Sequence, residues 1–155
     1  ATDLQLDLSG IEIMDSKSDP HLTDFASTYA EKRGLREAIA MKLVRKPLSF
    51  GGMLVSQGLA DGMVAGVATA TSIVIQTATL TIGFQEGLST PSSFFIMILP
   101  EFLGQQDQVF IFADSAVNVQ PTAQQLAEIA VASGRNAQAL LGLEPRIAML
   151  SFSTR

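Results

Sequence analysis

Three short stretches combine hydroxyls, small residues and backbone donors in the way an anion site requires. They are Gly66–Thr71 (Gly-Val-Ala-Thr-Ala-Thr), Asp114–Asn118 (Asp-Ser-Ala-Val-Asn) and Ser151–Arg155 (Ser-Phe-Ser-Thr-Arg). Runs of small residues leave backbone N–H groups open to an anion, and hydroxyls add donors without charge. Arg33 and a few other arginines could hold a small anion such as phosphate, because a guanidinium is always charged and grips an oxyanion with two parallel bonds. Each feature also has a plainer reading. Gly66–Thr71 reads equally as a tight turn with threonine caps, Asp114-Ser115 as a loop and helix-end fixture, and Arg33 as a solvated charge that suits a helix dipole. None of the three stretches matches a dinucleotide fingerprint or a phosphate-binding P-loop, and no Gly-x-Ser-x-Gly elbow occurs.

Composition removes other chemistries. There is no cysteine, so disulfides, thiolate nucleophiles and thiolate-bound metals are excluded. The single histidine, His21, cannot build a histidine-rich metal site and reads as a solvated residue in a first helical turn, with a catalytic role as the alternative. The 15 acidic residues show no ligand spacing, so no metal site is expected. A net charge of −5 with no basic run argues against a nucleic-acid backbone as partner.

The elements that must position these residues follow from hydrophobic spacing. Ile11–Met14 predicts a short strand. Ser18 or Asp19 can cap a helix with Pro20 at its first position, and Leu22, Phe25, Ala26 and Tyr29 recur at three- and four-residue steps along it. Gly34 breaks that helix. A second is predicted over Leu35–Arg45 and a third over Ser49–Gln57. Gly62–Gly66 predicts a strand and Thr71–Ile82 a helix. The run Ser93–Leu99 has the composition of a strand buried on both faces, Pro100–Gln108 reads as a polar loop, and Val109–Phe112 as the next strand. Thr122 and Gln125 form a capping box for a helix that buries Leu126, Ile129, Ala130 and Ser133. Gly134 is expected to bend or end it, and residues 146–152 to form the last strand. Alternating helices and apolar strands imply an α/β fold with a mostly parallel sheet and helices on both faces. In such sheets ligands collect beyond the carboxyl ends of the strands, where the three hydroxyl-rich stretches fall. The Gly- and Ser-containing connection Gly83–Pro91 is the candidate boundary, dividing the chain into 1–86 and 87–155 as parts of two α/β domains.

At 47% hydrophobic and 16% charged residues, the chain is apolar for a soluble protein. The uncharged stretch Gly62–Gln85 is long enough to suggest a membrane span. Gln76 and Gln85, with Thr, Ser and Gly spread between, favour a buried strand followed by a half-buried helix, so no membrane partner is expected. No signal peptide is visible, a cytoplasmic location is expected, and both ends have the look of cuts within a longer chain.

Four strings carry a family resemblance: Ala60-Asp-Gly-Met-Val-Ala-Gly66, Phe112-Ala-Asp-Ser-Ala-Val-Asn118, Pro121-Thr-Ala-Gln-Gln-Leu-Ala-Glu-Ile-Ala130 and Pro145-Arg-Ile-Ala-Met-Leu-Ser-Phe-Ser-Thr154. In this order and spacing they resemble the phosphate acetyl/butyryltransferase family, from about Ile11 to the C-terminus. The resemblance implies two α/β domains of the isocitrate/isopropylmalate dehydrogenase type, here an incomplete two-domain architecture, usually in a homodimer. It implies interconversion of acetyl-CoA plus phosphate with acetyl phosphate plus CoA, without metal or other cofactor, coenzyme A being a substrate. The CoA thiolate would attack the acetyl carbonyl, helped by a carboxylate base, with arginines on the phosphate.

Carried over by position, Arg33 matches one of the family's phosphate-site arginines. A second arginine is usual in the step that here reads Ile75-Gln76-Thr77, so Gln76 offers hydrogen bonds without charge. The family's usual serine and histidine nearby are replaced by Ala65 and Thr69. The expected substrate-binding set is Arg33, Gln76, Thr69, Thr71, Asp114, Ser115, Ser151, Ser153 and Thr154. The base is expected beyond Arg155, so this stretch alone is expected not to turn over. Two other readings stay open: a non-catalytic phosphotransacetylase-like domain for regulation or oligomerisation, which Gln76 favours, and a phosphate butyryltransferase.

Overall fold

Helix formation in the first half of the chain starts from a carboxylate. The Asp19 side chain accepts the His21 N–H at 2.9 Å and holds the chain for helix α1 (Leu22–Arg33). The apolar stripe read from the sequence is the buried one: Leu22, Phe25, Ala26 and Tyr29 all lie inside. The computed structural model describes residues 7–142 and 144–150. Gly34 ends α1 at φ 63°, with its own N–H on Glu31 O and the Leu35 N–H on Ala30 O, so backbone donors close that helix end. Helices α2 (Glu37–Val44), α3 (Pro47–Ser56) and α4 (Thr71–Thr81) follow. Pro47 opens α3, where its missing N–H costs nothing.

These four helices form the first of two compact units, which meet in sequence at Gly83 and Phe84. Its core is Leu22, Phe25, Ala26, Tyr29, Ala30, Ala40, Val44, Phe50 and Met53, with the Phe25 and Phe50 rings 5.4 Å apart. Helix α3 approaches α4 through Gly52: a Cβ there would sit 2.9 Å from the Thr81 Cβ. Thr81 is 1% exposed and returns its hydroxyl to Thr77 O at 2.8 Å.

The second unit contains a hairpin and one helix. Strands β1 (Phe94–Phe102) and β2 (Gln105–Ala113) pair antiparallel, with Phe95 opposite Phe112 and Phe102 opposite Gln105. Helix α5 (Ala123–Leu141) packs against β2. It begins at the expected capping box: the Gln125 N–H reaches Thr122 Oγ1 at 3.3 Å, and the Thr122 N–H reaches Gln125 Oε1 at 2.9 Å. Gly134 does not end α5, which runs on to Leu141. It is buried inside the helix because a Cβ there would press on Ile147 Cδ1 at 3.3 Å and on Pro145.

Several expectations are corrected. The described residues form one two-stranded antiparallel sheet, not a parallel one. The cause is local: Leu103 and Gly104 both adopt positive φ, at 50° and 76°, and a two-residue turn of that kind folds one strand back on the last. The expected polar loop Pro100–Gln108 is therefore strand on both sides of that turn, since backbone pairing does not depend on the polarity of Glu101, Gln105 or Gln106. Ile11–Met14, Gly62–Gly66 and Arg146–Leu150 are not strands; a strand needs a neighbour for its N–H and C=O groups, and none pairs with them among the described residues. Nor is β1 buried on both faces. Phe95 and Ile98 are 60% and 64% exposed, because a two-stranded hairpin with one helix against it covers little of its own apolar surface. Among the described residues, no helix is long and apolar enough to cross a membrane.

Candidate functional site

In the first unit the expected site residues gather around α4. Thr71 is its first residue, preceded by the turn in which the Thr69 N–H meets Gly66 O at 3.4 Å and Gly66 holds φ 130°. Thr71 and Gln76 are exposed, and Thr69 is half-buried. Arg33 meets the opposite end of the helix: its Nε donates to Leu80 O at 2.9 Å and its Nη2 to Thr79 O at 2.7 Å. At a rise of about 1.5 Å per residue, the carbonyls that hold Arg33 lie about 12 Å along the axis from Thr71. Gln76 stands at the middle of the helix. Thus Arg33 meets the C-terminal end of α4, while Thr69 and Thr71 lie at its N-terminal end.

In the second unit the Asp114 carboxylate, at the end of β2, is the centre of a polar knot. Its Oδ1 accepts the Ser93 N–H at 2.8 Å and the Ser93 hydroxyl at 2.6 Å. Its Oδ2 accepts the backbone N–H of Asn118 and the Asn118 Nδ2 group, the latter at 2.7 Å. The Ser93 oxygen in turn accepts the N–H groups of Ser115 and Ala116 at 3.1 and 2.8 Å, and Asn118 Nδ2 also donates to Pro91 O. Burial pushes the Asp114 carboxyl up, but the hydrogen bonds from Ser93 and Asn118 together outweigh it and hold it well below the usual carboxylate range. Ser115 donates its hydroxyl to Phe112 O at 2.9 Å. Asp114 therefore gathers the donors of its own loop and joins the entry to β1 with the exit from β2.

A second carboxylate works the same way. Glu128, on α5, accepts the N–H groups of Ser89 and Thr90, both at 2.9 Å, and the Ser89 hydroxyl. The Ser89 backbone leads, with Thr90 next, in bringing its pKa down to about 2.

Ser151, Ser153 and Thr154 lie outside the described residues. Ser93, Asn118, Glu128 and Lys32 were not singled out by sequence reasoning. A signal existed for Asn118, since an acidic residue followed by small residues after a strand is the pattern of a side chain that closes its own turn. Lys32 and Glu128 had none, because their partners are 49 and 39 residues away. An open groove of about 430 Å³ in the first unit, between Glu12–Ser16 and the start of α3, includes none of the expected site residues. Among the described residues, no three His, Asp or Glu side chains are grouped to hold a metal.

The chain matches the family model described as "Phosphate acetyl/butaryl transferase" over residues 1–155. It is 42% identical to a phosphate acetyltransferase of Thermoanaerobacterium thermosaccharolyticum, covering 97% of this chain and 47% of that protein. It is 38% identical to the phosphate acetyltransferase of Bacillus subtilis, over 100% of this chain and 46% of that protein. The solved structure of the EutD phosphotransacetylase from Staphylococcus aureus is similar with a TM-score of 0.83 and 36% identity, over 98% of this chain and 44% of that one. The chain thus spans about half the length of these relatives. With the family model matched from end to end and the fold shared with a phosphotransacetylase, this chain belongs to the phosphate acetyl/butaryl transferase family.

Proposed function

We propose that the full-length protein interconverts acetyl-CoA plus phosphate with acetyl phosphate plus CoA. The observation that carries this reading is the unbroken relationship of the whole chain to proteins named phosphate acetyltransferase. In this reading Arg33 and Gln76, the positions that correspond to the family's phosphate-site arginines, take the phosphate, while Thr69 and Thr71 lie at the N-terminal end of α4. Asp114 and Ser115 shape the loop after β2 rather than touch the phosphate, since the carboxylate is anionic and already surrounded by its own donors. The CoA thiol, whose ordinary pKa of about 8.5 lies above neutral, needs a base to become the nucleophile. A carboxylate outside these residues supplies it. The two substrates provide both reacting groups, so no metal or further cofactor takes part.

The same reading places the protein in the cytoplasm as a homodimer. It sets the hairpin within a larger, mostly parallel sheet of the isocitrate/isopropylmalate dehydrogenase type, with the two domains dividing near residue 86. The exposed Phe95, Ile98 and Phe112 support it, since a larger sheet would cover them.

Gln76 favours a second reading, a phosphotransacetylase-like domain that binds without turning over. CoA-dependent release of phosphate from acetyl phosphate by the full-length protein separates the two. Activity is expected, and to rise in Gln76→Arg as the phosphate site gains a charge. Absence of activity in both would sink the enzyme reading. Acetyl-CoA raising the melting temperature of an inactive protein would then support the binding domain. Comparing acetyl with butyryl phosphate in the same assay sets the acyl class.

A further inference from the structure

The end of α4 is closed in an uncommon way. The last carbonyls of an α-helix have no intrahelical donor, and for α4 these are Thr79, Leu80, Thr81 and Ile82. The N–H groups of Ile82 and Gly83 both go to Ala78 O, one residue too early to reach any of the four. Two side chains of α1 supply the missing donors. Arg33 takes Thr79 O and Leu80 O, and Lys32 Nζ takes Thr81 O at 2.8 Å and Ile82 O at 3.0 Å. Two adjacent cations thus satisfy four consecutive carbonyls at the negative end of a helix dipole, where positive charge is favoured. They are available because α1 is closed by its own backbone at Gly34 and does not need its basic last turn.

We infer that Lys32 and Arg33 act as one cationic clamp on the end of α4, and that Lys32 is a positioning residue for the anion site on that helix. The clamp fixes where α4 stops and how it lies against α1, and so where Gln76 stands relative to Arg33. It also spends two of the guanidinium nitrogens on protein carbonyls, so Arg33 would face a phosphate with an orientation already set. The clamp rests on geometry alone, while its consequence for the anion site rests on the acyl-transfer reading above.

The test uses the full-length protein with Lys32→Met, Lys32→Arg and Arg33→Lys. Two quantities are measured: hydrogen exchange at the amides of Ile82 and Gly83, and steady-state kinetics with acetyl phosphate. Lys32→Met is expected to speed exchange there by about three- to tenfold, the size of a charged hydrogen bond discounted for exposure. It should raise KM for acetyl phosphate more than it lowers kcat. Lys32→Arg, whose fork spans two carbonyls, should restore both, which a general fold defect would not allow. Arg33→Lys should loosen the same amides. Unchanged exchange in Lys32→Met overturns the clamp. Faster exchange with an unchanged KM overturns the positioning role. If neither the full-length protein nor its Gln76→Arg variant is active, the acyl-transfer reading fails, and the exchange data still decide the clamp.

Discussion

The two units solve one problem, unsatisfied backbone groups next to the expected site residues, with opposite charges. In the first, Lys32 and Arg33 bring positive charge to four carbonyls at the end of α4. In the second, Asp114 and Glu128 bring negative charge to the N–H groups of Ser89, Thr90, Ser93 and Asn118. Helix C-termini expose acceptors and irregular loops expose donors, so the sign of the side chain follows from the element it serves. The difference shows that a charged residue near a ligand-friendly stretch is first a partner for its own backbone. It also implies an acid response in the second unit, where both carboxylates are held below their ordinary range.

The strongest way to break the comparison is to remove Asp114. Asp114→Ala strands the donors of Ser93 and Asn118 in a half-buried loop and should cost the second unit about 2–3 kcal/mol. Hydrogen exchange resolved by unit should place that loss in residues 84–142 and leave α1–α4 protected. An equal loss in both units would erase the distinction drawn here. Next in size is Gly52→Ala, which sets a methyl against Thr81 and should cost the first unit about 2 kcal/mol. Urea unfolding of Gly52→Ala beside Gly51→Ala checks it, since Gly51 faces only the flexible end of the Met63 side chain. Loss of the α5 cap in Thr122→Ala is smaller, about 1 kcal/mol, and confined to the second unit.

The acid response sharpens the contrast most finely. Both carboxylates have pKa values lower in the folded chain than their ordinary values of 3.8 for Asp114 and 4.5 for Glu128. Their stabilisation is therefore fully present above pH 4.5 and drains as the pH falls, for Glu128 down to about 2. Circular dichroism between pH 5 and about 2 should show acid loss that Glu128→Gln makes shallower. The same profile with and without Glu128 would rule out its part.

Local order could be read in advance at particular places. Leu22, Phe25, Ala26 and Tyr29 at helical spacing marked the buried face of α1, and Thr122 with Gln125 marked the start of α5. Both depend on contacts within a few residues. The hairpin turn was not legible, because Leu103 does not announce a positive φ and the polar residues around it resemble a loop. The family strings around Gly66, Asp114 and Ala130 pointed to the family that the whole chain matches, while the structure set Arg33 at the C-terminal end of α4, Gln76 at its middle and Thr71 at its start.

By itself, the sequence determined the helical periods, the caps, the lack of any cysteine in this stretch and the family, since each is carried by residue type and short spacing. Only the tertiary structure decided what the charges do. Lys32 and Thr81 are 49 residues apart, and Ser93 and Asp114 are 21 apart. Which backbone groups are left without partners is known only once the chain has folded, and those groups are what the charged side chains seek.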